Sequence, residues 1–337
     1  MNKKVTIQNI ADKLGISKSA VSKAISGATD ISESTRESII RCAAEMGYVM
    51  SPDKAGKNKS AAVLVYNIHY ENHEQFGYDI LAGIQTAAVQ NSFDINVIPV
   101  TREQVNTGNY DSLVIGRNYE GIFFLGFRPH IDFIERNKDA DIPLIVLDNY
   151  IDSPLTARVG CENGIHFAVR HLWENGHRKI GFIGGESDSV VTVERKELFR
   201  ETISDLGGEV PEGFIKYASF SGDGAKEAVI SLAEAGATAV VCVSDVIANI
   251  AVRELTKAGY SVPRDISITG YDNMPIAEYC VPPITTVNQN RIHIGKAAFN
   301  TMLQIKSGIH ISSVLLHTSL VQRDSVADIS KNTDKKE

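Results

Sequence analysis

Thr6-Ile7-Gln8-Asn9-Ile10-Ala11-Asp12-Lys13-Leu14-Gly15-Ile16-Ser17-Lys18-Ser19-Ala20-Val21-Ser22-Lys23-Ala24-Ile25-Ser26-Gly27 is the stretch on which the reading of this chain turns. Ile7, Ile10, Ala11 and Leu14 recur at helical spacing behind Thr6, whose hydroxyl suits an N-cap. Gly15 predicts a stop in the left-handed region. Ser17 then caps a second helix with Ala20, Val21, Ala24 and Ile25 on its apolar side, closing at Ser26-Gly27. A third amphipathic helix is expected from Ser32-Glu33-Ser34-Thr35 through Ile39, Ile40, Ala43, Ala44 and Met46 to Gly47. Two short helices joined by a tight turn around glycine form a helix-turn-helix, a unit whose second helix can enter the DNA major groove.

The charge distribution agrees with that reading. The first 60 residues carry 10 Lys and Arg against 6 Asp and Glu, a charge of +4, whereas the remainder carries 24 against 35, a charge of −11. A basic head on an acidic body confines any approach to phosphate to the head. On the second helix the residues not needed for packing are Ser17, Lys18, Ser19, Ser22 and Lys23. Lys18 and Ser19 lie in its first turn, within reach of base edges, and Lys23 suits a guanine or a phosphate. Thr6, Ser17 and Ser22 are short hydroxyl donors that fit phosphate and fix register. The plainer alternative is that these Lys and Ser residues only solvate an exposed helix face.

From Ala61 onward, short β-branched or aromatic runs alternate with helical stretches. Strands are expected at 62–66, 95–100, 121–125, 144–147, 179–183, 239–243 and 266–270, with helices at 78–90, 164–175, 195–206, 225–235 and 246–258. Such alternation makes parallel sheets covered by helices on both faces, which bind ligands beyond the carboxyl ends of their strands.

Taken together, Thr6-Ile7-x-x-Ile10-Ala11-x-x-Leu14-Gly15-Ile16-Ser17-x-x-Ala20-Val21-Ser22-Lys23-x-Ile25-Ser26-Gly27, Ile31-Ser32-x-x-Thr35-Arg36 and Ala43-Ala44-x-x-Gly47-Tyr48 resemble the head of the LacI/GalR family of bacterial repressors. Further along, Val146-x-Asp148-Asn149, Glu162-Asn163-Gly164, Arg195-x-x-x-Phe199, Ser244-Asp245, Gly270-Tyr271-Asp272-Asn273 and Pro282-Pro283-Ile284-Thr285-Thr286-Val287 continue the match in order to about Ser325. The resemblance implies an α/β protein: a small all-α helix-turn-helix domain (1–49), a linker (50–60), and two Rossmann-like lobes of the periplasmic-binding-protein type (61–328). Lobe 1 would take about 61–159 plus 290–317, lobe 2 about 160–288 plus 318–328, and 329–337 would be a flexible tail. It implies a homodimeric, sequence-specific transcriptional regulator whose operator affinity is set by a small-molecule effector, a sugar or sugar derivative.

The chain departs from the family pattern in the second helix and in the linker. Where Thr-Val-Ser-Arg is common it has Ala20-Val21-Ser22-Lys23, which removes a bidentate guanidinium. The linker Met50-Ser51-Pro52-Asp53-Lys54-Ala55-Gly56-Lys57-Asn58-Lys59-Ser60 lacks the leucine that wedges into the minor groove in relatives. Lys54, Lys57 and Lys59 can still grip phosphate, but less bending of the operator is expected.

For the effector, the resemblance points to Arg195 and Asp272 for polar contacts, with Phe220 as an aromatic platform. Ser244 stands where an Asn is usual. Asn67, His69, Tyr70, Phe76 and Asp148 are further candidates from the first lobe. Without the resemblance, Asp272 reads as a turn cap and Phe220 as core.

Other classes are disfavoured. The sequence shows no GxSxG, GxxxxGK[ST], HExxH or GxGxxG pattern, so it reads as a non-enzyme without cofactor. Four separated cysteines and histidines too far apart to share one ion predict no metal site. No apolar run approaches the ~18 residues of a membrane span, and no hydrophobic stretch follows Lys3-Lys4, so a cytoplasmic protein is expected. The alternative is a cytoplasmic sugar-binding protein or enzyme whose head does not bind DNA.

Overall fold

The computed structural model describes residues 5–25, 31–46, 48, 59–114, 117–137, 142–147, 149 and 156–330. The head consists of α1 (Ile7–Leu14), α2 (Lys18–Ile25) and α3 (Glu33–Glu45). Thr6 caps α1 in a capping box with Asn9, and Gly15 ends it at φ 64°, its N–H donating to the Ala11 carbonyl. Ser17 accepts the Ala20 N–H at 3.0 Å at the start of α2, and Ser32 caps α3 by accepting from Thr35. Ile10, Ala11, Val21, Ala24, Ile39, Cys42 and Ala43 bury one another, so each helix contributes to a single small core.

Downstream the elements follow as β1 (Lys59–Val65), α4 (Phe76–Gln90), β2 (Phe93–Pro99), α5 (Arg102–Thr107), α6 (Asp111–Val114), β3 (Ile122–Leu125), α7 (Ile131–Asn137), β4 (Leu144–Leu147) and β5 (Thr156–Cys161). Then come α8 (Ile165–Glu174), β6 (Ile180–Gly184), α9 (Val190–Asp205), β7 (Ile215–Tyr217), α10 (Ala225–Glu234), β8 (Ala239–Cys242), α11 (Asp245–Lys257), β9 (Ser267–Asp272) and α12 (Pro275–Tyr279). The chain finishes with β10 (Thr285–Asn288), α13 (Arg291–Lys306), β11 (Ser313–Leu316) and β12 (Ser319–Val321).

Two six-stranded sheets form, in the orders β11-β5-β4-β3-β1-β2 and β12-β10-β9-β8-β6-β7. The pairs β1–β2, β1–β3, β3–β4 and β4–β5 are parallel, as are β6–β7, β6–β8, β8–β9 and β9–β10; β12 runs antiparallel to β10. The strand order therefore reverses beside β1 in the first sheet and beside β6 in the second. At such a switch point the flanking loops part and leave a crevice at the carboxyl ends. Inner strands such as β3, β4, β6 and β8 are buried along their whole length, as a sheet covered on both faces requires.

By contacts the chain separates into two units. One comprises Met1–Ile68, Leu81–Gly160 and Gly295–Val314; the other comprises His69–Ile80, Cys161–Ile294 and Leu315–Glu337. Three readings of the sequence change. Lys59 and Ser60 open β1 rather than ending a linker, and the Lys59 ammonium lies 5.5 Å from the Phe93 ring centroid. Residues 69–80 group with the second unit, because Phe76 and Asp79 pack on Arg291. The strands β5, β7, β10, β11 and β12 and the helices α5, α6, α7, α12 and α13 were not anticipated. Most are short, and β5 interrupts its apolar run with Arg158 and Gly160.

Candidate functional site

In the head, Val21 and Ala24 of α2 are buried, while Lys18, Ser19, Ser22 and Lys23 are exposed. The polar side of α2 is thus presented to solvent as one surface. Ser17 uses an oxygen lone pair for its cap and keeps its own hydrogen for an acceptor such as phosphate. Thr6 differs: its hydroxyl accepts the Asn9 N–H at 3.3 Å and lies 2.7 Å from Asn9 Oδ1, so its hydrogen is committed within the head. Lys54 and Lys57 lie outside the described residues.

In the second unit, four predicted residues gather at the carboxyl ends of the parallel strands. Arg195, on α9, is buried and donates from Nη1 to the Val243 carbonyl at 2.6 Å, just past β8. Its guanidinium carbon lies 3.6 Å from the Tyr271 ring centroid, and the Tyr271 hydroxyl accepts the Gly164 N–H at the start of α8. Asp272 ends β9 with φ 104° and is 5% exposed. One carboxylate oxygen accepts from Gln289 Nε2 at 2.5 Å, and its carbonyl accepts from Arg291 Nη1.

Phe220 follows β7, half-buried, with its ring against Gly185 and its N–H 3.4 Å from Glu186 Oε2. It serves both packing and the rim of the site. Ser244 is buried and accepts the Ile247 N–H at 3.3 Å, so its oxygen caps α11. Phe76 faces the Arg291 guanidinium at 5.8 Å. His69 is exposed and Tyr70 half-buried, on the loop before α4, and no described contact ties their side chains to Arg195 or Asp272. Asn67 belongs to the first unit, exposed at φ 55° after β1, and Asp148 lies outside the described residues.

The sequence reading missed the groups that hold this cluster. Asp245, fully buried, accepts the Met274 N–H at 2.7 Å and faces the Thr286 hydroxyl at 2.6 Å. Burial first, and the nearby Asp272 charge second, push its carboxyl up to about 8. Burial likewise raises the neighbouring Cys242 thiol. Asn288 is in register with Asp272, which brings Gln289 and Arg291 beside the end of β9. Ser244-Asp245 was visible as a motif; only the fold shows that its second residue, and not its first, reaches the turn after Asp272. Among the described residues, no group of three or more His, Cys, Asp or Glu is placed to hold a metal ion, and no helix is long and apolar enough to cross a membrane.

A guanidinium, a carboxylate, an amide and an aromatic ring at a switch point provide directional bonds for hydroxyls and a flat surface for a ring. A helix-turn-helix head on such an α/β body defines a DNA-reading protein that carries its own small-molecule site. The model of bacterial regulatory proteins of the lacI family matches residues 6–51, and that of the periplasmic binding protein-like domain matches residues 169–326. The chain thus joins a DNA-binding head of the lacI type to a periplasmic-binding-protein-like body.

Among its relatives, the transcriptional repressor PurR of Photobacterium profundum is 26% identical, covering 96% of this chain and 99% of that protein. The repressor CytR of Escherichia coli (strain K12) is 28% identical, over 91% and 92%. A solved complex of the transcriptional regulator CelR with cellobiose superposes with a TM-score of 0.70 at 27% identity, over 96% of this chain and 100% of that one. A lac repressor dimer bound to operator gives a TM-score of 0.69 at 24% identity, over 96% and 100%, a likeness of fold.

Proposed function

We propose that this protein is a transcriptional repressor that reads a DNA operator through α2 and is controlled by a small organic effector, a sugar or sugar derivative. The observation that carries the first half is the division of α2, which buries Val21 and Ala24 while turning Lys18, Ser19, Ser22 and Lys23 outward. Lys18 and Ser19 read base edges; Ser17, Ser22 and Lys23 hold phosphate or a guanine; Thr6 acts by fixing α1. Lys54 and Lys57 add phosphate contacts. A single short helix covers one half-site, so the chain works as a homodimer on a near-palindrome.

Arg195 and Asp272 supply the polar contacts to the effector, and Phe220 the platform. The aromatic surface beside two charged groups favours a polyhydroxylated ring or a nucleoside over an aliphatic acid. The CelR–cellobiose complex fits this range by its ligand, while CytR and PurR are repressors that align over nearly the whole chain. The effector acts by binding the DNA-competent and DNA-incompetent states unequally, which is the only way a ligand can move operator affinity.

The test is footprinting of the full chain on its own promoter region. A protected near-palindrome that disappears when residues 1–60 are deleted, and whose protection changes with one member of a sugar and nucleoside panel, is expected. Equal affinity for promoter and random duplex at moderate salt refutes the reading.

A further inference from the structure

Asp272 and Asn273 are consecutive non-glycine residues at φ 104° and 50°. Such a backbone conformation is unfavourable and persists only where its surroundings over-determine it. The surroundings here are explicit. The Asn273 N–H reaches the Thr286 hydroxyl at 3.3 Å, its side-chain oxygen accepts from Arg323 at 2.8 Å, and the Met274 N–H is held by Asp245. The Asp272 carbonyl is held by the Arg291 guanidinium.

Arg291 has its own fixture. Its Nη2 donates to Asp79 Oδ2 at 2.7 Å, and its guanidinium faces Phe76, both from the first turn of α4. The guanidinium is 5% exposed, while the Asp79 carboxylate is about a quarter exposed. Its Nε is buried with no hydrogen-bond partner among the described residues. A buried orphan donor is unfavourable, so this pose is set by the two directed bonds at Nη1 and Nη2 rather than by full satisfaction of the group. One planar cation spans a backbone carbonyl and a carboxylate through two fixed nitrogens, a geometry that the single nitrogen of an ammonium does not reproduce.

We infer that Arg291 is a positioning residue: clamped by Asp79 and Phe76, it fixes the strained Asp272 backbone and so aims the Asp272 carboxylate at the effector. The clamp rests on the reading of Asp272 as an effector ligand, and it gives Phe76 a role through Arg291. It also makes the start of α4 sensitive to the Asp272 turn. A ligand that pulls on Asp272 alters the carbonyl, the guanidinium and Asp79 in sequence.

Amide hydrogen exchange on the full-length chain without ligand tests the clamp. Arg291→Lys, which replaces two fixed nitrogens by one on a flexible stem, and Asp79→Leu, which removes the acceptor, should each speed exchange at Asn273 and Met274 by about tenfold. Asp79→Asn keeps an oxygen for Nη2 and should stay within about threefold of wild type at the same amides. Wild-type exchange in both the Lys and Leu variants overturns the clamp. So does equal acceleration in the β8 amides, which would mark a general loosening of the sheet.

A ligand arm separates the clamp from the reading beneath it. Cellobiose, ribose and adenosine are each tried for a thermal shift of wild type, and the clamp variants should weaken whichever shift is found. If Asp272→Ala retains that shift, the effector reading falls and takes the clamp's purpose with it. If Asp272→Ala loses the shift while Asp79→Leu and Arg291→Lys keep it in full, the clamp alone is overturned.

Discussion

Asp245→Asn should make the second unit insensitive to a pH change that weakens the wild type. Asp245 is fully buried, so solvent does not screen it, and its carboxyl is pushed up to about 8 by burial and by Asp272. The folded chain then keeps a proton that the unfolded chain releases above the ordinary carboxylate range. That difference stabilises the fold most at low pH, and the stabilisation is lost as pH rises through about 8. In the window between the two pKa values one proton is released on unfolding, which gives about 1.4 kcal/mol per pH unit. From about pH 5 to about pH 7 the wild type should lose about 3 kcal/mol relative to the variant. Asparagine has the same shape; its oxygen can accept the Met274 N–H and its amide can donate to the Thr286 hydroxyl, with no proton to lose. The single tryptophan, Trp173, lies in the second unit, so its fluorescence in urea reports on the right part of the chain. With a slope of about 2 kcal/mol per molar, the gap between the two midpoints should change by about 1.4 M over that range. Taking the difference between variants cancels the other titrating groups. Parallel profiles across that range would mean that Asp245 is ionised in the fold, and the argument from burial would be refuted.

Arg195→Ala and Asp272→Ala should each abolish the effector response while leaving operator affinity intact, measured by gel shift with and without the active ligand; normal induction in both contradicts the site. Lys18→Ala and Lys23→Ala should weaken operator binding, and for whichever of them holds a phosphate the slope of log affinity against log salt should fall by about one. The operator should bend less than that of a relative carrying a hinge leucine, as read by gel phasing, because the linker lacks that leucine. His177, buried between Thr238 and the Ala327 carbonyl, is held neutral, its pKa lowered chiefly by burial. The unfolded chain therefore takes up the proton first as pH falls, so this contribution is full above the ordinary histidine pKa and lost below it. Protection factors of the amides at residues 326–330, corrected for intrinsic exchange, should fall under mild acid, and His177→Gln should remove that dependence.

The head was legible because each of its decisions is local. Thr6, Gly15, Ser17 and Ser32 act within four residues of themselves, and the apolar spacing fixes which faces meet. The long buried strands were legible for the same reason. The site was legible only in part. Arg195 and Asp272 came from resemblance, and their partners came from register: Asn288 lies opposite Asp272, which no spacing in the sequence announces. Ser244 stood out because it stands where the family usually has an Asn, yet its hydroxyl is used by its own helix while Asp245, one position on, does the long-range work. Phe76 and Asp79 were the hardest to read, since they act through an arginine more than two hundred residues away.

Gly270-Tyr271-Asp272 shows what such a motif encodes. Gly270 is glycine because a Cβ there would overlap the Asp245 carboxylate, so the first position answers to a residue on another element. Tyr271 carries the ring on which Arg195 lies, and its hydroxyl fixes the start of α8, so the second position sets the direction of the arginine. Asp272 occupies a positive φ that a β-branched residue would resist, and it presents both a carboxylate and a carbonyl to named partners. The three positions satisfy three different constraints, set in turn by Asp245, Arg195 and Arg291. Substituting Gly270 by alanine should therefore cost the site before it costs the fold: the sheet can absorb one methyl group by shifting the Asp245 side chain, but that shift releases Met274 and Thr286 together, and with them the turn that aims Asp272.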